Sequence, residues 1–73
     1  MSQTAAAVQT ELGTNAMNAK ILRNSVVHGA DATKQEWYVQ ANIAVAGRAR
    51  WCVTTASDSA ATQAASIITQ LKA

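Results

Sequence analysis

The chain is 73 residues long with a net charge of +2, and 14% of its residues are charged, against about 25% in an average soluble domain. Its single cysteine and single histidine exclude an internal disulfide and a zinc site made of Cys and His ligands. The absence of a basic run, of a long apolar run and of a signal-peptide pattern leaves one small domain over residues 1–73 with no predicted membrane contact.

The first predicted element is a helix over residues 3–19. Its apolar stripe recurs at spacings of three and four residues and consists of Ala5, Val8, Leu12 and Ala16. Because Gly13 and the small stripe weaken this helix, we expect it to dock on another element. Residues 20–28 are either a strand or the end of a longer helix, and the valine pair before Gly29 favours a strand. Residues 29–36 are predicted to form a loop.

Alternation of apolar and polar residues on both sides of a central glycine predicts a β-hairpin. A two-residue turn would bury both Arg48 and Arg50, which is costly. An odd turn, with three residues at 46–48, instead pairs Ile43 with Trp51 and puts every apolar side chain on one face. Trp37 and Trp51 then both point inward, and we expect Trp51→Ala to cost about 3–5 kcal/mol.

Residues 58–72 are the clearest helix of the sequence. Thr55 or Ser57 is the predicted N-cap, and Asp58 would lie in the first turn and complement the helix dipole. The apolar stripe that would pack on the sheet consists of Ala61, Ala64, Ala65, Ile68 and Leu71. The order α-β-β-β-α predicts an α+β fold with two layers, in which both helices pack on one face of a three-stranded antiparallel sheet.

The residues do not indicate enzymatic chemistry. The four acidic residues are separated in sequence and none lies next to His28, so no acid–base pair is predicted. Cys52 lies in the middle of a predicted strand, without a third group that would orient it with His28 as a nucleophile–base pair. Glycine-rich phosphate loops are also missing from the sequence. We therefore expect a non-enzymatic protein that holds no metal and no cofactor.

The polar face of the hairpin is the one candidate binding surface. It is predicted to carry Tyr38, Gln40, Asn42, Arg50 and Thr54, with Arg48 at the tip of the turn. Arginine matches phosphate or carboxylate, tyrosine stacks on bases, and amides read base or peptide edges. The same residues suit an ordinary solvated sheet face or a polar contact with a second copy, and the sequence leaves these three interpretations open.

Three functions are compatible with the sequence. The first is a homo-oligomer or a subunit of a larger assembly, such as a viral (phage) structural or capsid-associated protein. The small core needs further stabilisation, which oligomerisation can supply, and the surface has few charges. The second is a module that binds or sequesters a nucleotide or nucleic acid through Arg48, Arg50, Tyr38 and Asn42. The third is an inhibitor that presents a sheet edge or helix face to a host protein. We expect a cytoplasmic protein, or a virion component if it is viral.

The element order, with an alanine-rich last helix, resembles that of double-stranded-RNA-binding domains over most of the chain. That family opens its last helix with a basic cluster, whereas segment 57–60 here reads Ser-Asp-Ser-Ala. Segment 28–30, which reads His-Gly-Ala, also departs from the family's Gly-Pro-x-His loop. The resemblance is one of element order and implies no function.

Overall fold

A computed structural model describes residues 3–13, 17–26, 33–42 and 49–72 of the chain. The elements are α1 (Ala5–Leu12), β1 (Lys20–Val26), β2 (Lys34–Gln40), β3 (Ala49–Thr55) and α2 (Ala60–Lys72). The strands form one antiparallel sheet in which β2 lies between β1 and β3. The helices contact each other, and α1 packs against β1 while α2 packs against β3. The predicted α+β fold, with both helices on one face of the sheet, is confirmed.

Helix α1 ends earlier than predicted because of Gly13. This residue adopts φ 52° and donates its amide to the Gln9 carbonyl (3.1 Å). A side chain would be strained at this φ, which makes glycine the natural residue to end a helix. Residues 17–19 are not helical, and residues 14–16 lie outside the described part of the chain. The prediction of a helix over 3–19 is therefore wrong at its C-terminal end.

The strand interpretation of residues 20–28 is confirmed as far as Val26. Residues 27–32 lie outside the described residues, so the first half of the predicted loop over 29–36 is not covered by the structure. The loop prediction is wrong for residues 34–36, because β2 already begins at Lys34.

The register of β2 and β3 departs most from the sequence prediction. Trp37 lies opposite Cys52 and Tyr38 lies opposite Trp51, whereas the sequence paired Trp51 with Ile43, five residues further along. An odd slip moves the side chains of one strand to the other face of the sheet. Trp37 is completely buried, while Trp51 lies on the opposite face with 52% of its surface exposed. The prediction of two inward-facing tryptophans is wrong.

The bounds of the strands account for this change. The described part of β2 ends at Gln40 and β3 begins at Ala49, so Trp51 finds its partner in Tyr38 within these bounds. The predicted turn at 46–48 belongs to segment 43–48, which lies outside the described residues. The observed register places Trp37, Val39, Cys52 and Thr54 on the face that the helices cover.

The core lies between the covered face of the sheet and the two helices. Side chains without exposed surface come from α1, β2, β3 and α2, and they include Val8, Trp37, Val39, Cys52 and Ile67. The buried residues of α2 are Gln63, Ala64, Ile67 and Leu71. Ala61 and Ala65 of the predicted stripe are exposed instead, so α2 is rotated relative to the sequence prediction.

Helix α2 begins at Ala60, two residues later than predicted. Its N-cap is Ser59, whose Oγ accepts the amide of Thr62 (3.2 Å). Asp58 lies before the helix, and its backbone carbonyl accepts a hydrogen bond from Gln63 Nε2 (3.0 Å). The start of α2 is therefore fixed by a hydroxyl and a side-chain amide and not by an acidic side chain in the first turn.

Candidate functional site on the open face of the sheet

Two of the predicted binding residues, Arg50 and Thr54, lie on the face that the helices cover. Arg50 Nη1 donates to the Gln70 carbonyl near the end of α2 (2.8 Å), where a positive charge complements the helix dipole. Thr54 Oγ1 accepts the indole N–H of Trp37 (2.7 Å) and donates to Gln63 Oε1 (2.6 Å). Both side chains hold the helix layer on the sheet. The prediction that they line a polar hairpin face is wrong.

The other four predicted residues are not gathered in one place. Tyr38 and Gln40 lie on the open face, which is the face of the sheet opposite the helices. Gln40 and Asn42 line a polar recess of about 450 Å³ at the end of the sheet, together with Asn18. Arg48 lies outside the described residues. Tyr38 and Gln40 are thus the only predicted pair that the structure places on the open face.

A row of three side chains crosses the open face. Arg23 in β1 lies opposite Tyr38 in β2, and Tyr38 lies opposite Trp51 in β3. The centroids of the Tyr38 and Trp51 rings are 4.9 Å apart and their planes are tilted by 39°, which is within the range of attractive aromatic pairs. Sequence reasoning missed Arg23 and Trp51, because their positions depend on the register of the strands and not on a local pattern.

Large apolar side chains are exposed in the two strands that flank Tyr38. Val53 follows Trp51 on the same side of β3 and is 46% exposed. Leu22 in β1 is 47% exposed, and the shift of register between Ile21 and Arg23 makes it the extra residue of a β-bulge. Trp51 and Val53 lie two residues apart on the open side of β3, and neighbouring exposed apolar side chains are typical of a contact surface.

Charge differs between the two layers of the protein. Three exposed basic residues lie on the open face by their strand register: Lys20, Arg23 and Lys34. Glu36 is the acidic residue among them. The remaining acidic residues of the described ranges, Glu11 and Asp58, lie in and just before the helices. Among the described residues, the open face therefore has three positive charges against one negative charge.

Both edges of the sheet are bonded to glutamine side chains of the helices. Gln9 Oε1 accepts the Ile21 amide (2.7 Å) and its Nε2 donates to the Ala19 carbonyl (3.2 Å). Gln70 Oε1 accepts the Val53 amide (3.0 Å) and its Nε2 donates to the Val53 carbonyl (2.8 Å). These amides occupy one backbone N–H and one backbone C=O at each edge, which an added strand would otherwise bond. This geometry disfavours the sheet-edge form of the inhibitor hypothesis.

The described ranges contain no group of three or more His, Cys, Asp and Glu side chains that could hold a metal ion. His28 lies outside these ranges, and Cys52 is completely buried. None of the described helices is long and apolar enough to cross a bilayer. The expectation of a protein without metal or cofactor stays a prediction.

Burial raises the pKa of the Cys52 thiol, although the positive charge of Arg50 opposes the rise. The unfolded chain therefore loses this proton at a lower pH than the folded protein, so stability falls as the pH rises above the ordinary thiol range. We expect native Cys52 to resist iodoacetamide at neutral pH and to react once urea unfolds the chain. The urea midpoint should fall between neutral pH and about pH 10, and this fall should be smaller in Cys52→Ala. An equal fall in both proteins would contradict the prediction.

No protein-family model matches the chain, and neither a curated protein nor a solved structure shows significant similarity to it. A functional conclusion must therefore come from the side chains of the open face.

Proposed function

We propose that the protein is a non-enzymatic interaction protein and that the open face of its sheet is the binding surface. The observation that carries this proposal is Trp51, which leaves half of its surface in water beside Tyr38 and the exposed Val53. Apolar surface gains about 25 cal/mol for each Å² removed from water. A partner that covered this flat aromatic patch would therefore gain stability from contacts that the protein alone leaves unused.

The distribution of polar groups between the two faces supports this role. A sheet with one solvated face normally places apolar residues inside and polar residues outside. Here Gln35 and Thr54 of the sheet and Gln63 of α2 are buried between the sheet and the helices, while Trp51 and Val53 are exposed. Among the described residues, every buried side-chain N or O atom has a hydrogen-bond partner. The polar groups of the covered face are therefore satisfied within the protein, whereas the exposed apolar side chains of the open face are what a binding partner would cover.

Length and composition, taken alone, favour self-association as one form of this function, whereas the positive charges of the open face favour an acidic partner. A domain of 73 residues builds a small core, and oligomerisation is a common way to stabilise one. Two open faces packed together would bury Trp51 and Val53 of both copies. In a larger assembly, such as a virus particle, the same contact would make the chain a structural subunit. The protein would then be located in the virion, whereas otherwise we propose a cytoplasmic location.

The proposal predicts that crosslinks form from the open face and not from the helix layer. A photoreactive p-benzoylphenylalanine is introduced at Val53 in one variant and at Ala65, an exposed position of α2, in a matched control. After irradiation in cells of the source, we expect adducts of higher mass from position 53 and few from position 65. Mass spectrometry of the adducts then separates a second copy, another protein and nucleic acid. Equal yields from the two positions, or no adducts from either, would contradict the proposal.

A further inference from the structure

We infer that the open face binds single-stranded nucleic acid, with bases stacked on Tyr38 and Trp51 and phosphates held by the surrounding basic residues. The inference rests on the proposed function, because it names the partner of the same surface. It assigns a recognition role to Arg23 and Trp51. It also places the nucleic-acid contact on the face opposite Arg50, one of the arginines that the sequence favoured.

The two aromatic rings provide a platform for bases. Neighbouring strands lie about 4.8 Å apart, so the row from Arg23 across Tyr38 to Trp51 spans roughly 10 Å of the sheet. Trp51 is half exposed and Tyr38 is half-buried, so the indole presents the larger area to a ligand. Every nucleobase has an aromatic face, and aromatic side chains on an open sheet therefore bind unpaired bases with little dependence on sequence.

The positive charges are spread along the open face. Lys20 lies opposite Gln40 at one end of β2, Lys34 begins the same strand at the other end, and Arg23 lies between them. A polynucleotide has a negative charge at every nucleotide, so a strand lying across the sheet meets cations along its path. The guanidinium group of Arg23 matches phosphate in two hydrogen bonds or stacks on a base.

The same charges disfavour a second copy as the main occupant. A face-to-face dimer with twofold symmetry would bring the basic residues of both copies into one contact. Glu36 is the acidic residue of the described open face, so it would have to balance Lys20, Arg23 and Lys34. Lysine is also depleted at protein–protein interfaces. A partner with negative charges would not repel these basic residues, as a second copy would.

A single strand fits the platform better than a duplex does. Bases in a duplex are stacked on one another and offer edges and phosphates to a protein, whereas unpaired bases can lie flat on side-chain rings. The half-exposed Trp51 is a stacking group and has no donor array for reading a groove. Preference for a single strand over a duplex of the same sequence is therefore part of the inference.

The experiment is titration of fluorescently labelled DNA and RNA single strands of about 12 nucleotides, followed by anisotropy at low salt. We expect the full-length protein to bind them more tightly than the matching duplexes. Trp51→Ala should weaken binding about 5- to 100-fold, since one stacked base is lost. Trp51→Phe keeps an aromatic ring, so it should stay within about threefold of the wild type. Circular dichroism checks that each variant is folded.

A matched pair of charge variants tests the role of Arg23. Arg23→Ala and Lys72→Ala each remove one positive charge, but Lys72 lies at the end of α2 in the helix layer. Arg23→Ala should weaken binding several-fold and lower the salt slope, −∂log K/∂log[salt], by about 0.7, because one phosphate contact is lost. Lys72→Ala should leave both quantities close to the wild type. Equal losses in the two variants would overturn the inference, because binding would then follow net charge alone.

The remaining outcomes separate this inference from the proposed function. Absence of binding at low salt, together with self-association that Trp51→Ala abolishes in sedimentation experiments, would overturn the nucleic-acid inference and leave the open face as a protein contact. A protein that binds no oligonucleotide and stays monomeric at high concentration, with no crosslinks from Val53, would overturn both. Equal binding of single strands and duplexes would also overturn the inference, since stacking on Trp51 requires unpaired bases.

Discussion

Replacing Trp37 by alanine is expected to destabilise the protein by about 3–5 kcal/mol, which is enough to unfold a domain of this size. Trp37 has no exposed surface and is the largest of the fully buried side chains. Its removal leaves a cavity between β2 and the helices, and it also deletes the hydrogen bond from its indole to Thr54 Oγ1 (2.7 Å). Trp51→Ala should cost only about 1 kcal/mol, because its main loss is the contact with Tyr38.

Urea unfolding followed by far-ultraviolet circular dichroism measures both variants. Trp37→Phe is the milder companion, since it keeps an aromatic ring in the core and loses the indole N–H, and it allows a midpoint to be measured if Trp37→Ala does not fold. The order of stability should be wild type, Trp51→Ala, Trp37→Phe and Trp37→Ala, with the last the least stable. A larger loss for Trp51→Ala than for Trp37→Ala would contradict the observed register and restore the one predicted from the sequence.

The order of elements was predictable from local patterns. Strand β1 over Lys20–Val26 and helix α2 over Ala60–Lys72 follow from β-branched residues and from helical periodicity, which are properties of one segment at a time. The inward direction of Trp37 was predictable for the same reason, because it alternates with Tyr38 within β2. Helix α1 was predicted too long, since a single Gly13 at positive φ outweighed the apolar spacing beyond it.

The faces of β3 were not predictable in this way. Polarity alone favours burying Trp51 and exposing Arg50 and Thr54. The structure does the reverse for the tryptophan and the threonine, because Thr54 and Arg50 find hydrogen-bond partners on α2. Burying a polar side chain is costly only when it lacks such a partner. Alternation within one strand contains no information about partners in a helix further along the chain.

The candidate site could be predicted only in part, because two of its residues are brought to Tyr38 by the pairing of the strands. Tyr38 was placed correctly on the face away from Trp37, because β2 alone decides that. Arg23 is joined to it only through the pairing of β1 and β2, which includes a bulge that no residue pattern marks. Trp51 joins it only through the register of β3. A sequence signal did exist in the glutamines of α2, Gln63 and Gln70, which lie at helical spacing and face the sheet.

Gln63→Leu is expected to cost about 2–4 kcal/mol, because it leaves several buried polar groups without a partner at once. The Gln63 side chain has no exposed surface. Its Oε1 accepts from Thr54 Oγ1 (2.6 Å), and its Nε2 donates to the carbonyls of Ala56 (3.3 Å) and Asp58 (3.0 Å). The amide thus joins β3, the turn after it and α2. Thermal unfolding of the variant should show the loss, whereas Gln70→Leu, whose amide lies in an exposed setting, should cost less.

Gln63→Glu separates this hydrogen bonding from packing, because glutamate has nearly the same shape. A carboxylate at this position would point an oxygen at the carbonyls of Ala56 and Asp58, where the amide now donates. Burial and these two carbonyls would both favour the protonated form, so the pKa of the new carboxyl in the folded variant would lie above its unfolded value of about 4.3. The unfolded variant releases its proton first, so stability is retained below about pH 4.3 and falls as the pH rises toward the folded pKa.

The comparison is therefore between two pH profiles. The free energies of unfolding that urea titrations give for the wild type and Gln63→Glu should lie closest near pH 4 and separate as the pH rises, with a gap of about 2–4 kcal/mol at neutral pH. Gln70→Glu is the matched control, because its carboxylate would stay near water and should give a flatter profile. Parallel profiles for the wild type and Gln63→Glu would mean that the carboxylate at position 63 is solvated. The glutamine would then not be the buried link between β3 and α2 that its hydrogen bonds describe.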